Sequence, residues 1–281
     1  MQPKKSLGQN FFCNKNLAQK IASTAVENNP EFLIEIGPGT GSFTQLFTQF
    51  LAPDKILGIE KDDEIAQKWD SHFQEIPLLH KDILKVDLGK LICKQRTRHM
   101  GNKTYTFSIF GSLPYNISKK IIRKILVELA LNPEFSDKFT AYFIIQKEVA
   151  QKYQQWQNQV NSLALLTKVL SDVKTQFYIN HECFRPRPKV ESAFVKFTPN
   201  QLFINQYPDF TYSQLTRKYK DFHQFVLHCF SNPRKTLFNN LKSHVKDDVL
   251  IKTLNTRMLS KRPHELKLDE FLTISQLLSD A

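Results

Sequence analysis

The sequence has few cysteines, no long apolar run and no excess of acidic residues. Its four cysteines, Cys13, Cys93, Cys183 and Cys229, lie far apart, and none belongs to a C-x-x-C or Cys/His cluster. This spacing excludes a zinc site and a small disulfide framework, and it favours reduced thiols in a cytoplasm. Because no run of about 18 apolar residues occurs and the amino terminus lacks the apolar segment of a secretion signal, we expect neither membrane insertion nor export.

Basic residues outnumber acidic ones, with 39 Lys and Arg against 27 Asp and Glu, and the formal net charge is +12. Such a bias favours a polyanionic partner, either a nucleic acid or an anionic membrane surface. A chain of 281 residues with 41% hydrophobic residues has the length for an α/β domain and a smaller appendage. Helical spacing of apolar residues after 197 places the appendage at 198–281 and the first domain at 1–197.

A strand, a glycine turn and a helix follow one another early in the chain. The apolar run 32–36 leads into Gly37-Pro38-Gly39-Thr40-Gly41, where glycines let the backbone approach a ligand. A second apolar run ends in Glu60, and a third delivers Asp82. Carboxylates after successive parallel strands meet at one sheet edge, where nucleotides bind. The glycine spacing differs from G-x-G-x-x-G, which disfavours a pyrophosphate cofactor.

A predicted strand at 105–110 opens onto Ser112-Leu113-Pro114-Tyr115. The proline fixes φ and removes one N–H, so neighbouring carbonyls can accept hydrogen bonds beside an aromatic face. This turn suits a flat base with an exocyclic amine: the Ser112 hydroxyl and the Leu113 carbonyl accept the amine hydrogens while Tyr115 stacks. The alternative is a plain βα turn with a buried tyrosine. The cations expected to hold phosphates just after it are Lys119, Lys120 and Arg123.

A second aromatic and basic segment, 184–189 (Phe-Arg-Pro-Arg-Pro-Lys), lies between predicted strands at 173–179 and 192–197. Its prolines predict a rigid loop. The loop can close over a base opposite Tyr115, with Phe184 as the second aromatic wall and Arg185 and Arg187 on RNA phosphates. The alternative is a stiff hairpin connection. Residues 89–104 are basic and irregular and predict a surface loop that is either an RNA contact or a solvated face.

Four stretches agree in order and spacing with one family. They are residues 5–11 (Lys-Ser-Leu-Gly-Gln-Asn-Phe), 35–41 (Glu-Ile-Gly-Pro-Gly-Thr-Gly), 112–118 (Ser-Leu-Pro-Tyr-Asn-Ile-Ser) and 184–193 (Phe-Arg-Pro-Arg-Pro-Lys-Val-Glu-Ser-Ala). The second resembles motif I of class I S-adenosylmethionine-dependent methyltransferases, and the third resembles the Asn-Leu-Pro-Tyr motif of enzymes that methylate exocyclic amines. Over its whole length the chain resembles the KsgA family of small-subunit ribosomal RNA adenine N6,N6-dimethyltransferases.

The resemblance implies an α/β, Rossmann-like class I methyltransferase sheet at 1–197 and a small helical rRNA-recognition domain at 198–281. It implies a cytoplasmic, monomeric enzyme that dimethylates two adjacent adenosines near the 3′ end of small-subunit rRNA in a pre-30S particle. The residues it assigns to S-adenosyl-L-methionine are Asn10, Phe12, Gly37, Gly39, Glu60, Asp82 and Ser112. Those it assigns to the target base are Ser112, Leu113, Pro114, Tyr115 and Phe184.

The implied mechanism is direct in-line transfer without a metal or a covalent enzyme intermediate. Position 112 departs from the family, which has Asn there, and the shorter serine oxygen leaves open how the side chain holds the amine. Two alternatives follow. One is the related large-subunit rRNA adenine methyltransferase that confers antibiotic resistance, and the other is a non-catalytic RNA-binding assembly factor on the same fold.

Overall fold

The apolar runs of the first two-thirds of the chain form a seven-stranded β-sheet in the computed structural model of the protein. The structure describes residues 4, 8–99, 105–155, 160–246, 249–250, 254 and 256–279. The sheet strands are β2 (Phe32–Ile36), β3 (Ile56–Glu60), β4 (Leu78–His80), β5 (Phe107–Ser112), β6 (Phe139–Gln146), β7 (Ser171–Ile179) and β9 (Ser192–Pro199). Two further strands, β1 (Phe11–Phe12) and β8 (Phe184–Arg185), pair with each other.

The sheet order is β4-β3-β2-β5-β6-β9-β7. The first five strands in this order are parallel, and β9 is antiparallel to both β6 and β7. The strands predicted at 173–179 and 192–197 are therefore present as β7 and β9, and they pair with each other. Because parallel strands end at the same edge, the residues that follow β2, β3, β4 and β5 come together there.

Helices cover the sheet. They are α1 (Lys15–Ala25), α2 (Thr44–Phe47), α3 (Asp63–His72), α4 (Leu88–His99) and α5 (Ser118–Ile125), and α6 (Lys147–Gln154) follows β6 in the chain. Asn14 caps the start of helix α1, because its side chain accepts a hydrogen bond from the Leu17 N–H, and the apolar face of the helix is buried in the core of the sheet. A π-helical turn, Leu126–Ala130, continues α5.

The prediction of a surface loop at 89–104 is wrong for the part that the structure describes, because α4 occupies Leu88–His99. Its buried residues Leu88, Ile92 and Gln95 recur at helical spacing, and Arg96 forms an ion pair with Glu134. These three buried residues form a narrow face, and one of them is polar. The basic residues around them therefore outnumber the apolar ones, and the sequence shows no clear apolar helical periodicity. The remainder of the predicted loop, 100–104, lies outside the described residues.

The chain divides into two compact units, Met1–Ala150 with Ser171–Gln201, and Gln151–Leu170 with Leu202–Ala281. The second unit contains α7 (Ser162–Lys168), α8 (Tyr212–Cys229), α9 (Leu237–Leu241), α10 (Thr256–Ser260) and α11 (Leu268–Ser279). The sequence analysis placed 151–170 in the first domain, at 1–197, whereas in the structure this stretch is grouped with the second unit. Within the second unit, Tyr219 in α8 donates a hydrogen bond to the Leu166 carbonyl of α7.

Helix α8 is the longest helix among the described residues, with 18 residues. The Thr211 side chain and Gln214 form a capping box at its start, and Phe222, Val226 and Cys229 are buried at helical spacing. None of the described helices is long and apolar enough to cross a membrane.

Candidate active site

A single cleft at the carboxyl edge of the sheet is lined by every residue that the sequence analysis assigned to the cofactor or the base. These residues are Asn10, Phe12, Gly37, Gly39, Glu60, Asp82, Ser112, Leu113, Pro114, Tyr115 and Phe184. They come from segments that are more than 170 residues apart at the extremes, so the sheet topology is what brings them together. Their individual roles remain predictions.

The glycine turn after β2 forms one wall of the cleft. Gly37 has φ of +66°, and a Cβ atom placed on it would meet no atom within 4 Å, so this backbone faces open space. Gly39 has φ of +57°, and a Cβ there would lie 3.2 Å from the ring of Phe11 in β1. The turn therefore leaves room for a ligand on one side. On the other side it contacts the segment that we name the amino-terminal arm, which consists of Lys4 and residues 8–12.

Glu60, at the end of β3, is buried, and backbone donors hold its carboxylate. Its Oε2 accepts from the Gly39 N–H at 3.2 Å, and its Oε1 accepts from the N–H groups of Lys61 at 2.7 Å and Asp62 at 2.8 Å. A carboxylate offers about four acceptor positions, so about one remains for a ligand hydroxyl. The glycine turn and the carboxylate are thus fixed to each other without a ligand.

Asp82, which follows β4, is held in a similar way. Its Oδ1 accepts from the Leu84 N–H at 3.0 Å, and its Oδ2 accepts from Lys61 Nζ at 2.8 Å. Burial raises the pKa of Asp82, but the hydrogen bonds from Lys61 and Leu84 outweigh it and the net pKa lies below its ordinary value. Asp82 is therefore an ionised acceptor at neutral pH.

Asp62 lies outside the cleft lining but holds residues next to it, and the sequence analysis did not identify it. Only 2% of this residue is exposed, and its carboxylate accepts from Lys4 Nζ at 2.7 Å and Gln9 Nε2 at 2.8 Å. Burial raises the pKa of Asp62, but the hydrogen bonds from Lys4 and Gln9 lower it by a larger amount. The net pKa of Asp62 therefore lies below its ordinary value. Asp62 also caps α3, because its side chain accepts a hydrogen bond from the Glu64 N–H. An aspartate just before a helix is typical of such a cap, and this was the local signal in the sequence that could have identified Asp62. Asp62 therefore ties Lys4 and Gln9 of the amino-terminal arm to the segment that follows Glu60.

Glu35 lies in β2, two residues before Gly37, and is fully buried beneath the cleft. Its Oε2 accepts a hydrogen bond from Thr44 Oγ1 at 2.6 Å. Burial raises the pKa of Glu35 to about 8, and the negative charge of Glu60 raises it as well. Glu35 is therefore mostly protonated at neutral pH, which spares the site a second buried negative charge beside Glu60.

The Ser112–Tyr115 turn forms the opposite wall. The Pro114 carbonyl accepts from the Ile117 N–H at 3.2 Å and the Tyr115 carbonyl accepts from Ser118 Oγ at 3.3 Å, so these two carbonyls are engaged inside the turn. The Tyr115 hydroxyl lies 2.6 Å from Oγ of buried Ser192 in β9. Burial raises the pKa of Tyr115 despite this hydrogen bond, so the phenol stays neutral.

Phe184 lines the cleft, but only 1% of it is exposed. Its ring packs edge-to-face against Phe12, with centroids 5.1 Å apart, because β1 and β8 pair in the register Phe12 to Phe184. An open second aromatic wall is therefore absent from this conformation of the described residues. A base can stack on Phe184 only after Phe12 or its neighbours move.

The predicted phosphate-binding cations fall into two groups. Lys119, Lys120 and Arg123 are exposed on α5, immediately after the Tyr115 turn. Arg185 instead donates to the Phe184 and Glu182 carbonyls, and Arg187 forms an ion pair with Glu182 at 3.0 Å. Arg185 and Arg187 are thus held by contacts within the protein.

The cleft fits S-adenosylmethionine by its own features. Open space at Gly37 admits a ligand against the backbone, and Glu60 has an acceptor to spare for a ribose hydroxyl. Asp82 is ionised and would accept a hydrogen bond from an adenine amine, and Phe12 and Asn10 line the same cleft. The residues that would hold the cofactor are therefore present and positioned.

Comparison with known proteins gives one family throughout. The profile described as "Ribosomal RNA adenine dimethylase" matches residues 1–280. The protein called "Ribosomal RNA small subunit methyltransferase A" from Mesoplasma florum is 33% identical, over 98% of this chain and 97% of its own. Its namesake from Mycoplasma capricolum is 32% identical, over 99% of this chain and 98% of its own.

Two solved structures show the same fold. A dimethyladenosine transferase from Plasmodium falciparum matches with a TM-score of 0.68, covering 96% of this chain and 98% of that one at 19% identity. The 23S rRNA methyltransferase ErmE matches with a TM-score of 0.62, covering 96% of this chain and 100% of that one, also at 19% identity. The sheet is that of a class I S-adenosylmethionine-dependent methyltransferase, as predicted. With its profile matched from residue 1 to residue 280, the chain belongs to the ribosomal RNA adenine dimethylase family.

Proposed function

We propose that this protein transfers methyl groups from S-adenosylmethionine to N6 of two adjacent adenosines in small-subunit rRNA. The observation that carries the proposal is the single cleft in which the glycine turn, Glu60 and Asp82 face the Ser112–Tyr115 turn. Family membership and relatives named small subunit methyltransferase A support the choice of RNA.

The glycine turn, Glu60 and Asp82 form the cofactor half of the cleft, which binds and orients S-adenosylmethionine. When bound, S-adenosylmethionine supplies a methyl group activated by its sulfonium. Glu60 accepts from a ribose hydroxyl with its remaining lone pair, and Asp82 accepts from the adenine amine. The amino-terminal arm, anchored on Asp62, lays Asn10 and Phe12 along the cleft and excludes water from it.

The base half positions a weak nucleophile, because the lone pair of an adenine amine is delocalised into its ring. Ser112 Oγ and the Leu113 carbonyl accept the amine hydrogens, and Pro114 fixes the turn that presents them. Tyr115 stacks on the base with its ring orientation set by the bond to Ser192. Phe184 covers the other face once the pairing of β1 with β8 adjusts.

Phosphates are held outside the cleft. Lys119, Lys120 and Arg123 lie on the first two turns of α5, which begins three residues after Tyr115, and can contact the nucleotides that flank the extruded base. Arg185 and Arg187 join them only if a phosphate replaces the Glu182 contacts that now engage both side chains. The helical domain at 198–281 is the proposed recognition domain for the surrounding rRNA.

We further propose that the enzyme is a monomer and that its substrate is a pre-30S particle. The net charge of +12 suits a large RNA partner. The action on ribosomal RNA puts the proposed site of action in the cytoplasm, where such particles are assembled.

The test is to incubate the protein with labelled S-adenosylmethionine and under-methylated small subunits, and then to map the labelled base. We expect dimethylated adenosine near the 3′ end, and a Ser112→Asn variant that is equally or more active. Label in large subunits alone would overturn the choice of substrate. An inactive parent that is rescued by Ser112→Asn would favour a non-catalytic assembly factor instead.

A further inference from the structure

Tyr178 near the end of β7 is a large aromatic residue with 49% of its surface exposed. Lys147, the first residue of α6, places its Nζ 4.9 Å from the centroid of the Tyr178 ring. Glu191 holds the same Nζ at 2.7 Å. We name these three residues, Tyr178, Lys147 and Glu191, the Tyr178 platform. One face of the ring is thus fixed by the Lys147 ammonium, while a large part of the ring remains open to solvent.

The Tyr178 platform lies on the catalytic edge of the sheet. Strand β7 runs parallel to β6 because both are antiparallel to β9, so the carboxyl end of β7 is at the edge where the cleft opens. Buried Ser192, which holds the Tyr115 hydroxyl, pairs with Ile179 next to Tyr178 and with Gln146 next to Lys147. Three strand steps of about 4.8 Å separate β7 from β5, which is roughly 14 Å.

The chemistry of this surface suits a base more than a phosphate. The Lys147 charge is already neutralised by Glu191, so the platform adds little attraction for the RNA backbone. An exposed tyrosine ring that is held in place offers a flat surface, and stacking on such a ring tolerates any base. Burying it under a base also removes apolar surface from water.

We propose that the Tyr178 platform stacks an unpaired nucleotide that flanks the target adenosine on small-subunit rRNA. This inference rests on the proposed function, since it assigns a second nucleotide site to the same substrate. The role is binding: Tyr178 adds to the affinity for RNA and touches neither the cofactor nor the reacting amine.

The experiment compares the KM for under-methylated small subunits and the binding of a protein-free small-subunit rRNA transcript among Tyr178 variants. We expect Tyr178→Ala to raise the KM by roughly 5- to 150-fold, the range that corresponds to loss of one base stack. The kcat and the calorimetric affinity for S-adenosylmethionine should not change, and Tyr178→Trp should restore the KM. The slope of log affinity against log salt should stay at the parental value in Tyr178→Ala, whereas Lys119→Gln should flatten it.

The matched control is Phe50→Ala, because Phe50 is 43% exposed and lies ahead of the amino end of β3, at the opposite edge of the sheet. A Tyr178→Ala variant with the KM of this control overturns the inference. So does a variant that binds the transcript like the parent but binds particles weakly, since the partner would then be a ribosomal protein. If the parent methylates no small subunits, the proposed function fails on its own, and transcript binding by Tyr178→Ala still decides the platform.

Discussion

The two halves of the cleft differ in how far they are built before any ligand arrives. In the cofactor half, Glu60 and Asp82 have fixed partners, and the Gly37 backbone faces open space. In the base half, Phe184 is covered by the arm. The first half resembles a preformed nucleotide site, whereas the second requires a rearrangement before a base can be enclosed.

This difference separates binding from catalysis. A preformed cofactor site loses little conformational entropy on binding, so cofactor affinity should depend on individual hydrogen bonds. A base site that assembles around an extruded nucleotide gains its contacts only with the correct substrate, so its residues should affect turnover. The predictions below test the separation, beginning with the largest expected free-energy change.

Glu35→Gln should remove a large pH dependence of stability. The unfolded carboxyl loses its proton near pH 4.5, while the folded one keeps it up to about pH 8. The folded state therefore binds more protons across this window, and stability falls as the pH rises, by about 1.4 kcal/mol per unit and about 5 kcal/mol in total. Glutamine keeps an acceptor for Thr44 and cannot ionise.

Urea unfolding of both proteins at pH 5, 6.5 and 8 checks this prediction. We expect similar midpoints at pH 5 and an increasing advantage for Glu35→Gln towards pH 8. Parallel pH profiles would mean that Glu35 is ionised in the folded protein and that the cofactor half tolerates two neighbouring carboxylates.

Tyr115→Ala should reduce methyl transfer to under-methylated small subunits by well over tenfold, to about a hundredth of the parental rate. Loss of a stacking contact worth about 1–3 kcal/mol has this effect, because about 1.4 kcal/mol of transition-state stabilisation is a factor of ten. Calorimetry should give a nearly unchanged affinity for S-adenosylmethionine. Tyr115→Phe is the matched control, since it keeps the ring and loses only the bond to Ser192. A full rate in Tyr115→Ala would rule out the stacking role.

Glu60→Ala should weaken S-adenosylmethionine binding by about 1–3 kcal/mol, as expected for lost hydrogen bonds to a charged group. The turnover of enzyme saturated with cofactor should fall much less, which is the reverse of the expectation for Tyr115→Ala. Isothermal titration with Glu75→Ala as the control is suitable, because Glu75 is exposed and lies outside the cleft lining. Equal affinities for parent, Glu60→Ala and control would remove the carboxylate from the cofactor site.

The parts of the fold and site that the sequence predicted are those with local signals. Glu60 and Asp82 were predicted because each ends an apolar run, and parallel strands bring such ends together. The Tyr115 turn was found from its own tetrapeptide. Helix α4 was missed because its buried face is narrow and includes the polar Gln95.

The remaining features depend on contacts between distant segments. The Lys4–Asp62 ion pair joins residues 58 positions apart, and neither residue reveals the other. Phe184 was predicted as the second aromatic wall because it stands in a loop with prolines and cations opposite Tyr115. Its burial comes from pairing with β1, a strand of two residues with no periodicity to detect. Tertiary contacts of this kind become visible only in the folded structure.

The anchoring of the arm on Asp62 has a practical consequence for handling the protein. Lys4 contacts Asp62, which follows Glu60 by two residues, and Lys4 is the fourth residue of the sequence. An affinity tag fused to the amino terminus is therefore joined to the chain close in sequence to this ion pair, and we expect such a tag to compete with Lys4 for Asp62. An amino-terminal tag should therefore be cleaved from the purified protein before its binding constants are measured.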